Sequence, residues 1–138
     1  MVVSGTSRVG AQEHFYLETN ATVALPTEHG HLEIIASTQN LTKTQAEVAA
    51  VTGLAMGQVV CKAKRLGGGF GGKEERSIFI TVTAALAAHL TGRPVSILIE
   101  RDVDMAITGQ RHSFQFDYRA GCTREGKLVF LDAKLYVY

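Results

Sequence analysis

Apolar and polar positions change their period several times along the chain, and each change marks an element. Residues 58–65 alternate, with Val59, Cys61 and Ala63 on one side and Gln58, Val60, Lys62 and Lys64 on the other, which predicts a strand. From about residue 75 to residue 90 the period lengthens. Ile78, Phe79, Val82, Leu86 and Leu90 recur on one helical stripe, and Ala84, Ala85, Ala87 and Ala88 allow close packing. Thr91-Gly92-Arg93-Pro94 stops this helix with a terminal glycine and a following proline. Residues 38–51 predict a second helix, with Asn40 or Thr42 as its cap and Gly53 just past its end. Residues 21–25 and 31–37 read as a hairpin around Pro26-Thr27-Glu28-His29-Gly30. The unbroken apolar run at 95–99 predicts a buried strand. A short helix over 100–107 follows, with Glu100, Arg101, Asp102 and Asp104 as its charged start. Residues 2–9 predict a further strand, and 113–122 with 128–138 a second hairpin around Thr123–Lys127.

Between the strand at 58–65 and the helix from 75 lies Arg65-Leu66-Gly67-Gly68-Gly69-Phe70-Gly71-Gly72-Lys73-Glu74. Five glycines in six positions carry an entropic cost, so the backbone must either turn through φ > 0 or be approached more closely than a Cβ permits. The loop feeds a helix start, where free N–H groups and the dipole favour an anion. Phe70 is its one bulky group and the expected wall of any cavity there. Glu74 is expected at the helix entrance. A phosphate cradle lacks the required order, since Lys73 is followed by Glu74. Gly67, Gly69 and Gly72 fit G-x-G-x-x-G, a match that so dense a run produces almost automatically. A tight strand-to-helix turn with no ligand is the third reading.

Bulk properties narrow the classes. The chain has 138 residues, 46% hydrophobic and 20% charged, with a formal net charge of +1 and no Lys/Arg run longer than two. These values suit a globular domain and lend no electrostatic support to nucleic-acid or membrane-surface binding. The most apolar segment, residues 78–90, is too short to span a bilayer, and no leader pattern is visible. Cys61 and Cys122 have no metal-ligand spacing and are expected as buried free thiols, as in a reducing compartment. His14, between Glu13 and Phe15-Tyr16, is expected as a hydrogen-bonded core histidine. Of Glu13 and Glu18, one is expected buried and paired and the other exposed.

Gln12-Glu13-His14-Phe15-Tyr16-Leu17-Glu18-Thr19, Ser37-Thr38-Gln39-Asn40, the Gly67–Glu74 loop, Gly92-Arg93-Pro94-Val95, Asp104-Met105 and Thr108-Gly109-Gln110-Arg111-His112 together resemble, in order and spacing, the xanthine dehydrogenase/oxidase family. The resemblance covers the whole chain. It implies an α+β fold, a mixed sheet with two main helices packed on it. Residues 1–138 would be a single partial domain, the first part of the molybdenum-cofactor-binding region, truncated at both ends. It further implies oxidation of hypoxanthine to xanthine and urate, with water as oxygen source, at a molybdenum–molybdopterin centre. Gln12 would hydrogen-bond an oxygen on molybdenum, Phe70 with Gly69 and Gly71 would lie against the cofactor, and Glu74 would bind the purine. Gln12 and Phe70 would thus be the residues nearest the metal. The general base, FAD and 2Fe–2S clusters would belong to other parts of the polypeptide, so this chain alone is expected not to turn over. A homodimeric, cytoplasmic enzyme, peroxisomal in some relatives, is implied. Related aldehyde oxidases carry a non-acidic residue at the Glu74 position, so the chain leans to purines. An aldehyde oxidase-like hydroxylase and a catalytically silent module of the same fold are the alternatives. The chain departs from the family in Gly10-Ala11, where two glycines are common, and in lacking a proline within Gly53–Gly57.

Overall fold

The computed structural model describes residues 1–138. Its strands are β1 (Val2–Val9), β2 (Ala21–Pro26), β3 (Leu32–Ala36), β4 (Val59–Lys62), β5 (Val95–Leu98), β6 (Phe114–Cys122) and β7 (Leu128–Val137). Its helices are α1 (Leu41–Thr52), α2 (Ile78–Thr91) and α3 (Arg101–Ile107). The chain forms two compact units, one of His14–Gly109 and one of Met1–Glu13 with Gln110–Tyr138. The α+β class is as expected, with two sheets.

The His14–Gly109 unit holds a mixed sheet in the order β4-β3-β2-β5. β3 pairs parallel with β4 and antiparallel with β2, and β2 pairs antiparallel with β5. Alternate residues of these strands (Ala24, Leu32, Ile34, Ala36, Val59) turn to one face and meet Val48 and Ala49 of α1 and Ala84, Ala85 and Ala88 of α2. The stripe predicted on α2 is displaced. Ile78, Ile80, Thr81, Ala84, Ala85 and Ala88 are buried, while Phe79 and Leu90 are exposed. Small side chains let the helix axis approach the sheet, so the alanine face wins the core and Phe79 and Leu90 are turned outward. A hydroxyl pair, Thr22 and Thr81 at 2.9 Å, ties β2 to α2 inside this layer. β5 is an edge strand rather than a buried central one, since it pairs only with β2 and leaves Leu98 exposed. Cys61 faces the helices as a half-buried free thiol, and burial pushes its pKa up to about 11.

Capping follows the sequence closely. Asn40 Oδ1 accepts from the Lys43 amide at 3.0 Å, and Gly53 and Gly92 end α1 and α2 in the left-handed conformation. The other unit is an antiparallel sheet in the order β1-β6-β7, with the β6–β7 hairpin where the pattern placed it.

Candidate cofactor-binding site

β4 ends at Lys62 and α2 begins at Ile78, so the glycine segment belongs to a longer excursion than its sequence implied. Residues 70–77 are turns and bends, and Glu74 lies ahead of α2 rather than in its first turn. The helix start is delayed because the Lys73 carbonyl is already taken. It accepts from the Gln39 amide (2.8 Å), the Ser77 hydroxyl (2.9 Å) and the Thr38 hydroxyl (3.3 Å).

Gln39 organises the loop. Its Oε1 accepts from the amides of Gly71 (3.1 Å) and Lys73 (3.2 Å). Within the carboxamide only the oxygen can accept from a backbone N–H, and the NH2 donors take part in no hydrogen bond. A Cβ at Gly69 would stand 2.5 Å from Gln39 Oε1, so a side chain there would displace the carboxamide. A Cβ at Gly67 (φ +61°) would stand 2.3 Å from Glu18 Cγ. Phe70 has φ 54°, a conformation costly for a non-glycine residue, and its side chain stands 64% exposed. The amides of Gly68, Gly69 and Phe70 take part in none of the unit's hydrogen bonds.

A buried polar cluster supports this loop. The hydroxyl of Tyr16, itself buried, donates to Asp104 Oδ1 and accepts from Asn20 Nδ2 at 2.8 Å. Asp104 also accepts from the Asn20 amide at 2.7 Å and from the Thr108 hydroxyl at 3.1 Å. Asp104 is therefore a core residue and not the charged surface expected at the start of α3. Burial works to raise its pKa, but the donors from Tyr16, Asn20 and Thr108 outweigh it and hold the carboxyl below the ordinary range. Arg101 donates to the carbonyls of Tyr16 (2.6 Å) and Leu17 (2.9 Å), with its guanidinium 5.0 Å from the Phe15 ring centre.

Burial, followed by the hydrogen bond to Asp104, pushes the Tyr16 pKa up to about 12. The native state thus keeps this proton where the unfolded chain gives it up. Stability contributed by Tyr16 is fully present below pH 10 and is lost as pH rises toward 12. Tyr16→Phe is expected to flatten that alkaline loss. Denaturation of both proteins across pH 9–12 checks it, and identical slopes would refute the assignment.

The expected site residues are distributed as follows. Gly69, Phe70, Gly71 and Glu74 share one loop, with Gly69 buried and Phe70, Gly71 and Glu74 exposed. Gln12 lies in the other unit, where its carbonyl accepts from the Arg111 amide at 2.9 Å and its side chain is exposed. His14 is not hydrogen-bonded as expected; its Nδ1 is buried without a partner, and its ring stacks at 6.4 Å from Tyr16. Glu18 is exposed, and Glu13 Oε2 is buried but unpaired rather than paired. Gln39, Lys73 and Asp104, which hold this loop and the cluster beneath it, are not among the site residues expected from the sequence. The motif Ser37-Thr38-Gln39-Asn40 was in view, yet nothing in a linear pattern says that Gln39 reaches a loop some thirty residues on.

This geometry coincides with a known family. The family model described as "Molybdopterin cofactor-binding domain" matches residues 1–138, and the chain belongs to that family. It is similar to the xanthine dehydrogenase of Dictyostelium discoideum, 56% identical over 135 residues, which cover 98% of this chain and 10% of that protein. Against the xanthine dehydrogenase/oxidase of Rattus norvegicus it is 52% identical over 132 residues, 95% of this chain and 10% of the relative. The chain thus spans about a tenth of the length of these curated relatives. Among solved structures, the aldehyde oxidoreductase of Desulfovibrio gigas matches 99% of this chain and 15% of its own, with a TM-score of 0.76 and 26% identity. CO dehydrogenase from Oligotropha carboxidovorans matches in fold alone, with a TM-score of 0.75 and 23% identity over 98% of this chain and 17% of its own.

The residues present fit such a cofactor. Three loop amides are unspent, Gln39 offers a fixed carboxamide, and the glycines leave no Cβ in the way. No three His, Cys, Asp or Glu side chains cluster to hold a metal ion. No helix is long and apolar enough to cross a membrane.

Proposed function

We propose that the full-length protein carrying this chain hydroxylates purines, from hypoxanthine through xanthine to urate, and that this chain forms part of its molybdopterin site. The observation that carries the reading is the convergence of motif and geometry. Residues of the two highly specific stretches, Gln12–Thr19 and Gly67–Glu74, bond to each other: the Glu18 amide donates to the Gly67 carbonyl at 3.2 Å, and Lys73 Nζ to the Glu18 carbonyl at 2.8 Å. When bound, the molybdenum cofactor supplies the two-electron oxidation that places oxygen from water on a ring carbon. The work of this chain is to bind and orient. The amides of Gly68, Gly69 and Phe70 hold polar atoms of the cofactor, with the Gly71 amide committed to Gln39, and Phe70 packs against the cofactor. Glu74 accepts from a purine N–H. The oxidation of aldehydes fits less well, because identity to the aldehyde oxidoreductase is 26% against 56% to the xanthine dehydrogenase. A cytoplasmic homodimer with FAD and 2Fe–2S clusters in other segments completes the proposal.

The resemblance assigns the amide donor near the metal to Gln12; Gln39, whose Oε1 is fixed by two loop amides, is the second candidate. Neither the Gln39 NH2 nor the Gln12 side chain takes part in a hydrogen bond, but the Gln39 carboxamide is held in place by the Gly71 and Lys73 amides. The two residues are ranked by substitution in the full-length protein. Gln39→Ala is expected to slow reduction by xanthine roughly a hundredfold, the effect of losing one oriented donor, about 3 kcal/mol. Gln12→Ala should cost less. Stopped-flow reduction at matched molybdenum content decides, and a larger loss at Gln12 would return the role to that residue. Wild-type rates in both variants would remove the amide from the reading altogether.

A further inference from the structure

Lys73 is completely buried, yet no carboxylate pairs with it. Its ammonium donates to the carbonyls of Leu66 and Glu18, the latter at 2.8 Å, and lies 4.6 Å from the centre of the Tyr16 ring. Its own amide and carbonyl are also committed, to Gln39 Oε1 and to Gln39, Thr38 and Ser77. The bond from Lys73 to Leu66 joins the two ends of the glycine segment, so residues 66–73 form a closed ring. Burying an ammonium without a counter-ion is unfavourable, and burial lowers its pKa against the pull of Asp104 and Glu18. A methionine of similar length would fill the same space at less cost. Stability is therefore a poor account of this lysine.

We propose that Lys73 is a positioning residue: its ammonium clasps the glycine loop shut and so sets where the loop amides and the Phe70 ring stand toward the cofactor. The proposal rests on the reading that this loop faces the cofactor. The loop needs such a clasp because its glycines do not hold their own conformation. Gly67, Gly68 and Gly71 all take positive φ, with freedom to leave it, and Phe70 is held in a strained one. Lys73 donates from behind the ring, outside solvent, where hydrogen bonds to carbonyls are strongest. The Tyr16–Asp104 cluster forms the floor against which the ammonium sits. Asp104 acts at a distance on the charge of Lys73, which no direct partner neutralises.

The test uses the full-length protein with Lys73→Met, and Phe70→Ala as reference for a cofactor contact. Hydrogen exchange is followed in peptides over 66–72 and over the core strands at 21–36, together with the Mo(V) electron paramagnetic resonance spectrum. Loss of two hydrogen bonds is expected to speed exchange in the loop about ten- to a hundredfold with the strands unchanged. The Mo(V) spectrum should shift, a change that a purely structural lysine would not produce. Unchanged loop exchange would overturn the proposal. So would faster exchange in the strands as well, which would make Lys73 part of the fold. A spectrum altered by Phe70→Ala but not by Lys73→Met would overturn the positioning role. If the loop loosens while neither variant moves the spectrum, the clasp stands and the cofactor-facing reading is what fails.

Discussion

Asp104→Ala is expected to cost the fold about 3–5 kcal/mol, the range for removing one member of a buried charged cluster. The carboxylate accepts from the Tyr16 hydroxyl, the Asn20 amide and side chain, and the Thr108 hydroxyl. Its loss leaves those donors buried and unmet, each at about 1–3 kcal/mol before relaxation. Asp104→Asn should cost less, because one acceptor survives, but its NH2 group must face donors. The damage should be local first: exchange should rise in 14–20 and 101–108, the segments the cluster joins. The pH dependence has a definite sign. A carboxyl held below its ordinary pKa contributes stability above the unfolded value, and that contribution is lost as pH falls through the lowered one. The wild type should therefore weaken in acid more steeply than Asp104→Asn. Equal acid sensitivity in the two proteins would show that Asp104 is not the ionised centre of the cluster.

Elements governed by local patterning are legible in the sequence alone. Asn40, Gly53 and Gly92 act within a turn of their own helices, and the strand alternation of Val59 and Cys61 is a property of adjacent residues. Features that depend on competition were not. Two stripes of α2 were apolar, and the sheet selected the one with alanines because it packs closer. The apolar run of β5 carried no sign that it had one neighbour only. The same division holds for the site. Glycine density and Phe70 marked the loop, but the groups that fix it are remote in sequence. Gln39 reaches Gly71 and Lys73, and Asp104 reaches Tyr16 and Asn20, through contacts that a linear reading sees only as separate motifs. Lys73 was hidden for another reason. A lysine between glycines and a glutamate reads as solvated, and its complete burial follows from carbonyls that only the folded loop presents.

Glu74→Val is expected to lower purine kcat/KM by about two orders of magnitude, as for loss of a charged partner in a dry site. The structure leaves this carboxylate available. Glu75 pairs with Lys43 at 2.6 Å, while Glu74 makes neither an ion pair nor a hydrogen bond and is exposed beside Gly72 and Lys73. Its place ahead of α2 also separates it from the helix. Valine there removes no first-turn acid and should leave the fold intact. The interaction with a ring N–H is specific to heterocycles, because an aldehyde presents no such donor. A loss confined to purines thus separates a substrate contact from general support of the loop.

The proposed site, a purine-oxidising one to which this chain contributes loop and carboxylate, is tested most directly by that one comparison. Wild type and Glu74→Val of the full-length protein are assayed with xanthine and with an aldehyde on preparations of matched molybdenum content. The predicted result is a purine kcat/KM lower by about a hundredfold, with aldehyde oxidation steady or raised. Equal losses for both substrates, or no loss for either, would contradict it.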